Sequence, residues 1–151
     1  ALTTIIGSVG DDTITIGKAN AGLTVTGGAG NDTFIVTAAK IVTDATPEHT
    51  TITDFSAGDS IKFAAAVVGY KHSAADTSSA GSLKLAIDAV LTAEDTAQTV
   101  YGFTYGGANY LFYNAANSST SATTSDIVVK LSGNVDLDSI SLNSDTGVTI
   151  A

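Results

Sequence analysis

The chain has 151 residues, enough for one domain with a real core, and carries 15 acidic residues against six lysines and no arginine, a net charge of −9. That balance repels nucleic acid and anionic membrane surfaces and favours cations as partners. The absence of Cys excludes disulfides, thiolate metal sites and a cysteine nucleophile, while a hydrophobic content of 44% argues against disorder.

Residues 1 to 36 alternate turn and strand. "TITI" (13 to 16), "LTVT" (23 to 26) and "TFIV" (33 to 36) each follow a glycine-containing turn: "GSVGDD", "GKANAG" and "GGAGND". A spacing of about ten residues is too short for a helical repeat and fits one strand plus one turn, so two units make one coil. "GSVGDD" and "GGAGND" then stack one coil apart, with their Asp residues facing a shared gap. The middle turn carries Lys18 and Asn20 and lacks an acid.

After an irregular connection at 37 to 50, "TTITDFSAGDSIKF" reads as strand, tight turn and strand, bracketed by Asp54 and Asp59. Leu83, Ile87, Val90 and Leu91 recur at helical spacing, which predicts a helix over "SLKLAIDAVL", with "TAED" at 92 to 95 as a capped restart. "TVYGFTYGGANYLFYN" carries two aromatic-rich alternating strands around "GGAN", a hairpin signal. A Ser/Thr/Ala-rich loop at 115 to 125 leads into strands at "DIVVKLSG", "DSISL" and the final "GVTIA".

The template G-G-x-G-x-D-x-U-x, with U a large apolar residue, is matched fully at Gly27, Gly28, Gly30, Asp32 and Phe34. It is matched with Ser in place of the second glycine at Gly7, Ser8, Gly10, Asp12 and Ile14. Calcium takes six to eight hard oxygen ligands, and glycine turns can aim carbonyls inward to supply them. An ordinary glycine turn capped by Asp or Asn is the plain alternative for one copy; two copies in phase favour the ligand-holding turn.

These repeats resemble the RTX family of calcium-binding β-roll proteins exported by type I secretion. The stretch at 50 to 63 is similar to the segment that closes the roll in that family, and the hairpin with the strands after it is similar to the C-terminal region that follows. The resemblance implies a mainly β fold: a short calcium-binding parallel β-roll over 1 to 63, and a continuous β-rich C-terminal lobe over 64 to 151 with one or two short helices. It implies Asp12 and Asp32 as carboxylate ligands of Ca2+, with carbonyls from Gly7, Val9, Gly10, Gly27, Ala29 and Gly30. Asp54 and Asp59 are candidate ligands that equally suit turn caps.

No H-E-x-x-H or G-x-S-x-G occurs, and His49 and His72 lie in polar stretches read as exposed loops, so no enzyme is expected. The tyrosines of the hairpin suit buried core better than a sugar platform. The expected role is a calcium-dependent structural module of a secreted, surface-layer-like protein that self-associates at the cell surface and carries an export region for the type I secretion machinery. Neither nucleic acid nor membrane insertion is expected. The alternative is the secretion tail of an exported adhesin or hydrolase whose active domain lies elsewhere.

Overall fold

A computed structural model of the chain describes residues 4–17, 22–37, 49–63, 65–116, 120–123, 125–143 and 147–150. The middle turn at 17 to 22 and the connection at 37 to 50 fall largely outside these residues, as does part of the loop at 115 to 125. The described residues form a mainly β fold with one α-helix.

Six short strands come first: β1 (Thr4–Ile6), β2 (Thr13–Ile16), β3 (Thr24–Thr26), β4 (Thr33–Val36), β5 (Thr50–Ile52) and β6 (Ser60–Phe63). Odd-numbered strands join one sheet and even-numbered strands the other, and within each sheet these neighbours run parallel. Thr4 pairs with Thr24 and Thr13 with Thr33, an offset of 20 residues. Thr24 then pairs with Thr51 and Thr33 with Ser60, an offset of 27, so seven extra residues enter between β4 and β5.

The Thr/apolar alternation sets which way each strand faces. Val25, Phe34, Val36, Ile52, Ile61 and Phe63 are buried between the sheets, and hydroxyl side chains such as Thr24, Thr33 and Thr51 line the outer faces. The segment at 50 to 63 does form strand, turn and strand, but β5 and β6 belong to different sheets. The sequence reading passed over β1, which has a single partner, β3.

The remaining elements extend both sheets. They are β7 (Gly69–His72), α1 (Leu83–Glu94), β8 (Thr99–Tyr105), β9 (Ala108–Asn114), β10 (Ile127–Leu131), a 3₁₀ turn at Leu137–Ser139, β11 (Ile140–Asn143) and β12 (Gly147–Ile150). The first sheet runs β1-β3-β5-β10-β9-β8-β7 and the second β11-β12-β6-β4-β2. Both sheets therefore cross the boundary at 63/64: β10 lies parallel to β5, and β12 antiparallel to β6. One apolar cluster joins Ile16, Val25 and Phe34 to Val100, Leu111, Val129 and Val148.

Parallel neighbours need a crossover, and α1 supplies it between β7 and β8. Ser82 caps its start by accepting a hydrogen bond from the Leu85 amide at 3.2 Å. Leu83, Ala86, Ile87, Val90 and Leu91 bury one stripe of the helix against Tyr101, Phe103, Tyr110 and Phe112. No restart occurs at 92 to 95. The helix continues to Glu94, and Thr92 Oγ1 donates back to the Asp88 carbonyl at 2.8 Å, leaving no cap for a new turn.

The hairpin of β8 and β9 closes on Gly106 and Gly107, with φ of 57° and 77°, the left-handed pair that a two-residue turn with this twist requires. Its alternating residues are buried on both faces, because one face meets the inter-sheet core and the other meets α1. Tyr101, Tyr110 and Tyr113 are all buried, so these rings offer no platform to a sugar.

Candidate metal centre

The two matched turns stack. They connect β1 to β2 and β3 to β4, with a parallel bridge between Val9 and Ala29. Gly10 and Gly30 occupy equivalent positions with φ of 132° and 129°, a region that side chains rarely enter, so the repeated glycine is a backbone requirement. The Gly10 amide donates to the Ala29 carbonyl, the Ala29 amide to Ser8 O at 3.3 Å, and the Gly7 amide to Thr26 O at 2.9 Å. The third connection, 54 to 59, stacks beneath them through the 27-residue offset, but its left-handed glycine, Gly58, sits one position later.

The sixth position of each of these three stacked turns is an Asp, and the three form a ladder. The Asp12 amide donates to Asp32 Oδ1 at 2.9 Å, and the Asp32 amide donates to Asp59 Oδ1 at 2.8 Å. The second carboxylate oxygen caps the turn in two of the three cases. Asp12 Oδ2 accepts from the Ser8 amide (2.6 Å) and hydroxyl (3.0 Å), and Asp59 Oδ2 from the Ser56 amide (2.8 Å) and hydroxyl (3.2 Å).

The turn at 27 to 32 differs. Its Gly28 amide donates to Asp54 Oδ2 and its Gly27 amide to Asp54 Oδ1, each at 2.9 Å. Asp32 Oδ2 and Asp12 Oδ1 each accept no hydrogen bond among the described residues.

The donor set of the two stacked turns is the test of fit for calcium, and its chemistry is right. A Cβ at Gly27 would overlap Asp32 Oδ2, and one at Gly7 would overlap the Gly27 carbonyl oxygen and lie 2.8 Å from Asp12 Oδ2. Glycine at both positions therefore lets carboxylate and carbonyl oxygens pack close against the turn backbone, a hard-oxygen set. Among the described residues no three His, Cys, Asp or Glu side chains converge, so any such site draws on carbonyls as well as carboxylates.

Of the ten residues singled out in the sequence, Gly7, Val9, Gly10, Asp12, Gly27, Ala29, Gly30 and Asp32 come together in the first two stacked turns. Asp54 and Asp59 lie in the third, where both make capping hydrogen bonds. Sequence reasoning missed part of the network. Asp11 Oδ1 accepts from the Asn31 amide at 2.8 Å, and Ser8 and Ser56 supply the capping hydroxyls. Asp11 and Ser56 fall at positions the template leaves variable and Ser8 stands where it has a glycine, so it carries no signal for them.

Away from the turns, His72 lies on β7 rather than in a loop, and its Nδ1 stands 2.6 Å from Asp138 Oδ1. His49 is half-buried, edge-on to Tyr110 at 5.7 Å. Two open clefts of about 380 and 390 Å³ flank His72, lined by residues including Ser73, Thr104 and Asp136. Among the described residues no hydroxyl is hydrogen-bonded to the His72 ring, so the arrangement is a pair and not a triad. Burial, then the carboxylates of Asp138 and Asp136, push the nearby Tyr70 hydroxyl well above its usual range; it donates to Leu137 O at 2.8 Å. Comparison of the chain with protein-family models and with curated proteins finds no match.

Proposed function

We propose that the first six strands form a short RTX-type β-roll that binds calcium between its first two turns, and that the chain is a structural module of a secreted surface-layer-like protein. The observation that carries this reading is the in-phase stacking of two glycine turns whose Asp12 and Asp32 each keep one carboxylate oxygen without a donor. Calcium would supply positive charge to a set of hard oxygens: Asp12, Asp32 and the carbonyls of the two turns.

The chain's own residues prepare the gap. Gly10 and Gly30 hold the left-handed turns, Gly7 and Gly27 keep the space free of side chains, and the Asp12 amide fixes Asp32 through Oδ1. Among the described residues the ion pairs are Lys71–Glu94, His72–Asp138 and Lys84–Asp88, all in the C-terminal part. Binding free energy therefore becomes folding free energy for the turns.

The module's place at the cell surface, its self-association and its C-terminal export region are parts of the same proposal. Its net charge of −9 opposes lateral contact until cations neutralise it. Size-exclusion chromatography with light scattering tests the assembly claim. Association that grows with millimolar calcium and reverses in chelator is expected. A strict monomer across a wide range of protein concentration would sink the surface-layer reading and leave the secretion tail of a larger exported protein.

A further inference from the structure

We infer that copies of this chain associate head to tail, the β1/β2 end of one copy docking on the β7/β11 end of the next so that both sheets continue across the contact. The inference rests on the self-association proposed above and names the surfaces that carry it. Each sheet has two edge strands among the described residues: β1 and β7 in the first, β2 and β11 in the second. These edges gather into two ends. At one, β1 and β2 are joined by the turn at 7 to 12. At the other, the Tyr70 hydroxyl on β7 donates to Leu137 O at 2.8 Å, and His72 Nδ1 stands 2.6 Å from Asp138 Oδ1, both in the 3₁₀ turn that leads into β11. An edge strand presents a row of unpaired amides and carbonyls that another chain can pair with.

Strand direction matches the two ends to each other. In the first sheet β1, β3, β5 and β10 run parallel, β9 runs opposite, and β8 and β7 return to the direction of β1. In the second, β2, β4 and β6 run parallel, β12 runs opposite, and β11 returns to the direction of β2. A second copy placed head to tail therefore brings β7 beside β1 and β11 beside β2 with both pairs parallel, the pairing that the first six strands already use. Exposed apolar side chains collect at the same two ends. Of the five large hydrophobic residues exposed among the described residues, Ile6 and Val9 lie at the first end, Val68 and Leu142 at the second, and only Leu85 lies elsewhere. The turn at 7 to 12 is also an unfilled layer. The Ala29 amide donates to Ser8 O and Asp32 Oδ1 accepts from the Asp12 amide, whereas one coil earlier the Val9 amide and Asp12 Oδ1 have no partner among the described residues. Lys71, the charge on β7 that would discourage pairing, is held by Glu94 at 3.3 Å. A two-fold contact would instead set β1 antiparallel to its copy and leave Val68 and Leu142 uncovered; the head-to-tail contact covers both ends and extends into rows unless its rotation closes a ring.

Analytical ultracentrifugation in millimolar calcium tests this on the full chain and on variants blocked at either end. Ile6→Lys with Val9→Lys blocks the first end, Val68→Lys with Leu142→Lys blocks the second, and Leu85→Lys is the control on α1. Every one of these changes reduces the net charge of −9, so general repulsion falls and cannot account for a loss of association. Each end variant alone is expected to associate at least about tenfold more weakly than the full chain, because an unpaired lysine resists burial in a contact. Leu85→Lys should match the full chain. Mixing the two end variants should restore a single contact and give a dimer and nothing larger, since each keeps the end that the other lacks; a variant that failed to fold could not do this. Dimers of the Val68→Lys, Leu142→Lys variant alone would show β1 pairing with its own copy and overturn the inference. End variants that associate as strongly as the full chain, or a mixture that gives only monomer, would overturn it too while leaving self-association intact. A full chain that stays monomeric at every concentration would overturn the self-association reading itself.

Discussion

Phe34→Ala is expected to destabilise the protein by about 3–5 kcal/mol, the cost of emptying a large aromatic site in a packed core. Phe34 has no exposed surface, faces inward from β4 between β2 and β6, and packs edge-on against Phe55. For a chain of this length the loss corresponds to a fall of roughly 6–20 °C in Tm. Leu85→Ala is the control: Leu85 is 53% exposed on α1 and Ala is the better helix former, so little change is expected. The shape of the transition matters as much as its midpoint. Because Phe34 shares an apolar cluster with Val100, Leu111 and Val148, the whole chain should melt in one shifted step. A calorimetric trace in which a second step keeps its original Tm would show that residues 64–151 fold by themselves.

Gly10→Ala and Gly30→Ala should separate backbone strain from crowding. Both glycines have φ near 130°, so alanine at either carries strain of about 1–3 kcal/mol. A Cβ at Gly10 meets nothing within 4 Å, whereas one at Gly30 would stand 2.5 Å from the Gly10 carbonyl carbon and 2.9 Å from the Asp11 amide nitrogen. Backbone cannot move aside as a side chain can, so Gly30→Ala must spread the two turns as well as strain one of them. Urea unfolding should rank Gly30→Ala as the more destabilised by about 1 kcal/mol or more, in the range of overpacking costs. Equal losses would mean that the turns are not held in the close register described here.

The elements legible in the sequence were those whose causes are local. The alternation in "TITI" and "TFIV" gives β2 and β4 residue for residue, because Thr and Ile or Phe sort to opposite faces of any half-buried strand. The spacing of Leu83, Ile87, Val90 and Leu91 gives α1, and the Gly-Gly pair gives the hairpin.

What escaped was set at a distance. Gly69–His72 has no apolar alternation, and β7 exists because β8, nearly thirty residues on, offers it a parallel edge across α1. β5 and β6 look like neighbours in one segment, yet each pairs with one strand more than twenty residues earlier and another from the C-terminal part. At the turns the glycine and Asp positions were readable, but the unequal states of Asp12, Asp32 and Asp59 were not. Nor was the role of Asp54, which accepts the Gly27 and Gly28 amides from the following coil.

The central claim is that a cation joins the first two turns, and hydrogen exchange in calcium and in chelator tests it most directly. The Asp12 amide, bonded to Asp32 Oδ1, and the Gly10 and Ala29 amides that link the turns are the reporters. The account predicts that calcium at about 100 times its Kd slows their exchange by up to about 100-fold, the factor by which binding to the closed form disfavours opening. Identical exchange at these amides with calcium and with chelator would contradict it.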